Sequence, residues 1–217
     1  RDANLQHSNF SGAEMSGTYL TGANLDGATG ISAAASEETP EQIKIRIHKE
    51  LPSTLEEHKR WVMSNGAEGK RCSFQNADLS DMDFSNCILD GANLRGADLS
   101  RTNLKGTRLI MADISGATFF KSNMTGARLD GANMRGATLV MANMTQASLE
   151  PLQLMDKAGK PSGRAWAVNL SMATLDGARL VSAKCTGANM VGASLQGADL
   201  ENADFTDARM TDAKLTG

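Results

Sequence analysis

Large hydrophobic residues recur every five positions along most of the chain. Leu5, Phe10, Met15, Leu20 and Leu25 open the pattern, which resumes from Phe74 to Leu149 and again from Leu170 to Leu215. The three runs hold 5, 16 and 10 central positions, and all 31 except Cys185 are Leu, Met, Phe or Ile. A small residue, usually Ala, stands two before each centre, as at Ala92, Ala97 and Ala112. Asn or Asp often stands one before and Gly two after, so the unit reads A-(D/N)-L-x-G. Such a period fits neither a helix at about 3.6 residues per turn nor a strand at about 2. It suits a coil that turns one large and one small side chain inward per unit and leaves the rest outward or at a corner. Gly tolerates the positive φ of a tight corner, and Asn or Asp can hydrogen-bond its own backbone there.

Sustained through 31 units, A-(D/N)-L-x-G resembles the pentapeptide-repeat family. The resemblance implies an all-β solenoid: a right-handed quadrilateral parallel β-helix with four pentads per coil. Coils would stack about 4.8 Å apart, the ordinary spacing of paired strands. Residues 20 apart would then lie above one another, as Asp83, Asn103, Asn123 and Asn143 would outside and Phe74, Leu94, Ile114 and Met134 inside. The chain divides on this reading into N-terminal repeats (1–30), a small α-helical insertion (31–69), a central block (70–149), a loop insertion (150–169) and C-terminal repeats (170–217).

Within 31–69, Thr39-Pro40-Glu41-Gln42 offers an N-cap, a Pro at the first helical position and a capping-box Gln. Ser53-Thr54-Leu55-Glu56 offers a second box, so two short helices are predicted, about 40–50 and 54–64, joined at Pro52 and closed near Gly66. The insertion should lie against the coils through Ile43, Ile47, Leu55 or Trp61. In the second interruption, Leu149 and Leu170 are 21 apart. Either sixteen residues leave the coil as a loop or a full coil carries one bulged residue; Gly159 and Arg164 fit poorly as inward centres, which favours the loop.

Composition narrows the chemistry. Aromatic residues make up only 4%, so the core rests on aliphatic and small side chains. Lys and Arg number 22 against 25 Asp and Glu, a net charge of −3 that marks neither a nucleic-acid binder nor a uniformly acidic surface. No apolar run approaches a membrane span and no signal pattern opens the chain, so a cytoplasmic location is expected, without direct membrane insertion. Cys72, Cys87 and Cys185 read as buried small or apolar residues, not as a disulfide framework or metal site. His7, His48 and His58 stand apart from any ligand or triad spacing, and His58 beside Trp61 reads as packing. Asp78 above Asp98, and the acids from Asp199 to Asp212, read as solvated carboxylates. No catalytic residue, cofactor site or metal site is assigned, and no small-molecule substrate or enzyme activity is expected.

Outward apolar residues carry the functional reading. Phe120 and Val140 should stack, with Met141 beside them; Ile110 and Met111 lie on a different wall, and Trp61 is on the insertion. These six form the candidate surface for a protein partner. The leading expectation is a non-catalytic structural or protein-interaction scaffold. The alternative carried by the resemblance is a DNA-mimicking protein that binds DNA gyrase, as quinolone-resistance members do. Such a mimic needs continuous negative charge, yet the repeats centred on Leu94 to Met134 carry Arg95, Arg101, Lys105, Arg108, Lys121, Arg128 and Arg135 against Asp98, Asp113 and Asp130. Direct nucleic-acid binding is disfavoured because those cations are interleaved with acids and lack stacking aromatics. Both ends of the sequence are in register and bare of a cap, so further residues, a covering partner or end-to-end association are expected there.

Overall fold

The computed structural model describes residues 4–11, 13, 24, 26–29, 39–156 and 159–216. It divides into two compact units, Arg1–Arg46 and Ile47–Gly217. In the first, parallel bridges join Asn4 to Asn24 and Asn9 to Thr29, and the Leu5 N–H donates to the Asn24 carbonyl at 2.8 Å. Met15, Leu20, Leu25 and the start of the insertion at 31–38 lie outside the described residues.

In the second unit, single-residue parallel bridges recur every five residues, each to a partner 20 further on: Ser73 to Asn93, Asp78 to Asp98, Asp83 to Asn103, Ile88 to Arg108. The A-(D/N)-L-x-G pattern explains this, because the unit disposes of its five N–H groups in fixed ways. In the pentad around Leu79, Ala77 N–H closes a turn onto the Phe74 carbonyl. Leu79 and Asp81 donate to Asp98 and Ser100 of the next coil, while Asp98 donates back to Ala77. The remaining N–H, of Ser80, turns to the Asp78 carboxylate at 2.9 Å. That last bond is why Asp or Asn precedes the centre: it accepts a donor that no neighbouring coil reaches. At Asp83 the same bond from the Ser85 amide holds the carboxyl below its usual range.

We number the four walls by their central rows: the first runs Phe74, Leu94, Ile114, Met134; the second Leu79, Leu99, Phe119, Leu139; the third Phe84, Leu104, Met124, Met144; the fourth Leu89, Leu109, Leu129, Leu149. Every central residue from Leu79 to Met190 is 0% exposed, and the small inward position is filled mostly by Ala, with Thr102, Thr107 and Ser122 as buried polar exceptions. At roughly 25 cal/mol per Å² of apolar surface, that continuous burial is the main stabilising contribution.

Across 150–169 the ladder jumps: Asn133 pairs with Asn169 and Thr138 with Thr174, a spacing of 36 in place of 20. Sixteen residues leave the coil and form an antiparallel hairpin of β1 (Leu152–Met155) and β2 (Pro161–Trp166), pairing Leu152 with Trp166.

Where two helices were predicted, one is found. α1 runs unbroken from Pro40 to Met63 with Pro52 inside it. Thr39 and Gln42 close the capping box at the start, with Thr39 N–H to Gln42 Oε1 at 2.8 Å and Gln42 N–H to Thr39 Oγ1 at 3.2 Å. At Pro52 the expected second box does not form, because the Ser53 and Thr54 hydroxyls both turn back to the Glu50 carbonyl, at 2.8 and 3.0 Å. A Pro inside a helix costs about 3 kcal/mol. Burial of Leu51 on one side and packing of Leu55 on the other offset that cost and keep the helix continuous.

Ile47, Leu51, Leu55 and His58 pack the second unit's part of α1 onto the first coil of the ladder. His58 is 0% exposed, and Cys72 N–H donates to its Nδ1 at 3.2 Å. Its ring stacks on Trp61 at 5.6 Å, and Trp61 in turn covers Gly91. Nε2 lies against the Asp90 backbone without a well-formed hydrogen bond. Nδ1 must stay unprotonated to accept from Cys72, and burial lowers the His58 pKa, with Arg71 adding to it and Asp90 opposing. A depressed histidine pKa leaves its contribution intact above the unfolded value of about 6.5 and removes it as pH falls towards the folded value. Acidification below about 6.5 is therefore expected to loosen the 47–63 segment before the coils melt. Hydrogen exchange across 47–72 as a function of pH checks this, and the effect should vanish in His58→Leu.

Candidate interaction surface

The six residues singled out by sequence fall at three separate places. Phe120 and Val140 stack as neighbours on the second wall, both half-buried, while Met141 projects beside them at 54% exposure. Lys121 lays its ammonium 5.1 Å from the Phe120 ring centroid. On the fourth wall, Ile110 is half-buried and its N–H donates to Asp90 at 3.1 Å. Met111 reaches Gly131 at the foot of the hairpin, where Leu152 and the Trp166 carbonyl also close in. Trp61 belongs to the helix contact described above. Only Phe120, Val140 and Met141 form one outward group.

The second wall differs from its neighbours there. The residue before each centre is Thr118, Thr138 and Thr174, not Asn or Asp. Their hydroxyls make no bond to the following amides, so the N–H groups of Phe120 and Val140 lack an acceptor among the described residues. A strip of Thr and apolar side chains, with Lys121 over the Phe120 ring, thus carries two unpaired backbone donors.

The charges sort by whether an acid lies in reach, one coil back for Arg101 and Arg108 and in the same pentad for Arg128. Arg101 meets Asp81 with two bonds of 2.7 Å, Arg108 pairs with Asp90, and Arg128 pairs with Asp130 at 3.0 Å. Asp130 is itself buried, taking the Ser148 hydroxyl at 2.5 Å and the Glu150 N–H at 3.2 Å. Arg95, Lys105, Lys121 and Arg135 have no acidic partner among the described residues. Counting cations along the sequence does not separate free from paired. The signal was present: the residue 20 before Arg101 is Asp81, whereas Gln75 and Ser115 stand 20 before Arg95 and Arg135.

Catalytic chemistry finds little support in the remaining groups. Burial pushes the Cys72 and Cys185 thiols up to about 12 and raises Cys87 as well, so none is a ready thiolate. The described residues bring together no group of three or more His, Cys, Asp or Glu suited to a metal ion. Asp78 and Asp98 do stack, but each turns one oxygen to its own serine amide, Ser80 and Ser100, at 2.9 Å. No described helix is long and apolar enough to cross a membrane.

The family model for pentapeptide repeats matches residues 1–29, 70–106, 112–150, 166–197 and 183–217, in 8 copies. The chain belongs to the pentapeptide-repeat family. The two long gaps between the matched segments, 30–69 and 151–165, hold α1 and all of the hairpin strands but Trp166. Among solved structures, a pentapeptide repeat protein from the Arabidopsis thaliana thylakoid lumen is 30% identical, covering 54% of this chain and 71% of its own, with a TM-score of 0.46. HetL, a pentapeptide repeat protein involved in heterocyst differentiation regulation from the cyanobacterium Nostoc sp. strain PCC 7120, is 31% identical over 64% of this chain and 68% of its own, with a TM-score of 0.32. QnrB1, a plasmid-mediated fluoroquinolone resistance protein, is 20% identical over 68% and 80%, with a TM-score of 0.38. No curated protein matches the chain by sequence.

Proposed function

We propose that this pentapeptide-repeat protein is a non-catalytic scaffold, a right-handed quadrilateral β-helix whose second wall seats a protein partner at Phe120, Val140 and Met141. The observation that carries the reading is the apolar group itself. Apolar side chains there replace the serines found one and two coils earlier in the same row, Ser100 and Ser80. Flat walls favour a macromolecular partner over a small substrate, which needs a concave site. The buried thiols and dispersed histidines supply no nucleophile or general base.

The test exploits the repeat. Phe120→Ser restores the residue of the earlier coils, and Met141→Gly matches Gly177 in the next. Met141 holds φ at 57°, a left-handed conformation that costs a non-glycine residue about 1–2 kcal/mol, so its replacement by Gly should stabilise the coil. The double variant should melt no lower than the wild type yet lose the stoichiometric partner captured from the native source. Retention of that partner at wild-type level would overturn the assignment of this wall.

The gyrase-binding alternative requires a surface that imitates the duplex phosphates. The central coils carry the unpaired cations Arg95, Lys105, Lys121 and Arg135, which speaks for the scaffold reading. A supercoiling assay with purified gyrase separates the two, and no inhibition or protection is expected.

A further inference from the structure

We propose that the groove along the first wall and its corner row, between Arg95 and Arg135, is a docking site for an extended acidic segment of the protein partner, held in polyproline-II conformation. The inference rests on the scaffold reading and names the chemistry of the partner.

Its floor is the corner row of the first wall. Gly116 and Gly136 are bare corners with no other atom within 4 Å of where a Cβ would stand, and they open a groove of about 410 Å³. Arg95 rises at one end and Arg135 two coils on, with exposed Met172 closing the other end; both arginines are exposed and without an acidic partner among the described residues. Asp113 also lines the groove, but the Ser115 amide and hydroxyl and the Asn133 side chain occupy its Oδ1 at 3.2, 2.7 and 3.1 Å. Two guanidiniums thus stand against one carboxylate in the groove, neither of them ion-paired with it, and their natural counterparts are further carboxylates.

Spacing selects the conformation. Arg95 and Arg135 are two coils apart, about 10 Å at the usual strand separation. A polyproline-II chain repeats every 3 residues at about 3.1 Å each, so acids at every third position stand about 9 Å apart on one side. A β-strand cannot match this, because residues three apart point to opposite faces.

Fluorescence anisotropy with a labelled peptide of repeating Glu-Pro-Pro tests the geometry. Binding is expected to weaken about tenfold in Arg95→Gln/Arg135→Gln and to stay unchanged in Lys105→Gln on the third wall. A control peptide of repeating Glu-Pro, with the same number of acids, should bind more weakly than the Glu-Pro-Pro peptide. Equal binding of the two peptides, insensitivity to the arginine pair, or equal competition by a DNA duplex would each overturn the proposal. Partner capture with the arginine variant keeps the two readings apart. If the stoichiometric partner is retained there but lost in Phe120→Ser/Met141→Gly, the scaffold reading stands and the groove is not its site.

Discussion

Leu129→Asp is expected to destabilise the second unit by at least about 4 kcal/mol, whereas Lys105→Asp should stay within about 0.5 kcal/mol. Leu129 is 0% exposed at the centre of its pentad, and the positions above and below it, Leu109 and Leu149, are equally buried. Truncating a buried Leu already costs about 2–5 kcal/mol, and burying a carboxylate in this largely apolar interior adds its desolvation cost. Lys105, one residue past the centre of Leu104, points outward and is exposed. Circular dichroism melts of the two variants measure the contrast. Because each coil is stabilised by its neighbours, the loss should spread along the ladder and not remain at one pentad. Equal tolerance at both positions would mean that the register is wrong.

Gly69→Ala should cost about 3 kcal/mol and displace the 47–63 segment, while Gly126→Ala should cost only about 1 kcal/mol. Both glycines have positive φ, +74° and +64°, so a side chain at either is strained. They differ in what the new methyl meets. At Gly69 it would stand 2.2 Å from the Glu57 carbonyl oxygen and 2.7 Å from the Trp61 nitrogen, both helix backbone. At Gly126 nothing lies within 4 Å. The clash cannot be relieved by a side-chain rotation, so the helix must move away from the first coil. Greater exposure of Trp61 to a collisional quencher in Gly69→Ala, together with a lower melting temperature, is the expected result.

Much of this was legible in the sequence because the pentad is a statement about backbone hydrogen bonds. An inward Leu, an Ala two before it and an Asp or Asn between them each answer one local demand, and repetition makes the demand visible. Pro52 was misleading for the opposite reason. Local chemistry at Ser53 and Thr54 reads as a new helix start, but contacts of Leu51 and Leu55 with distant coils outweigh it. The environment of His58 was equally hidden, since its partner is the amide of Cys72, fourteen residues away and on the first coil. Among the candidate surface residues, the period correctly set Phe120 above Val140. It could not show that Met111 meets the hairpin or that Trp61 covers Gly91, because the two insertions follow no repeat.

The step by which the ladder crosses the hairpin fixes the register of every later coil. Cross-linking of paired cysteines measures it directly. Asn133 and Asn169 are bridge partners whose side chains meet at 3.4 Å, so Asn133→Cys/Asn169→Cys should oxidise to a disulfide that peptide mapping recovers. Asn133→Cys/Gln153→Cys, spaced by the ordinary 20 residues, should not, because Gln153 sits in β1. A disulfide in the second variant and none in the first would put a bulged coil where the hairpin stands and contradict the account.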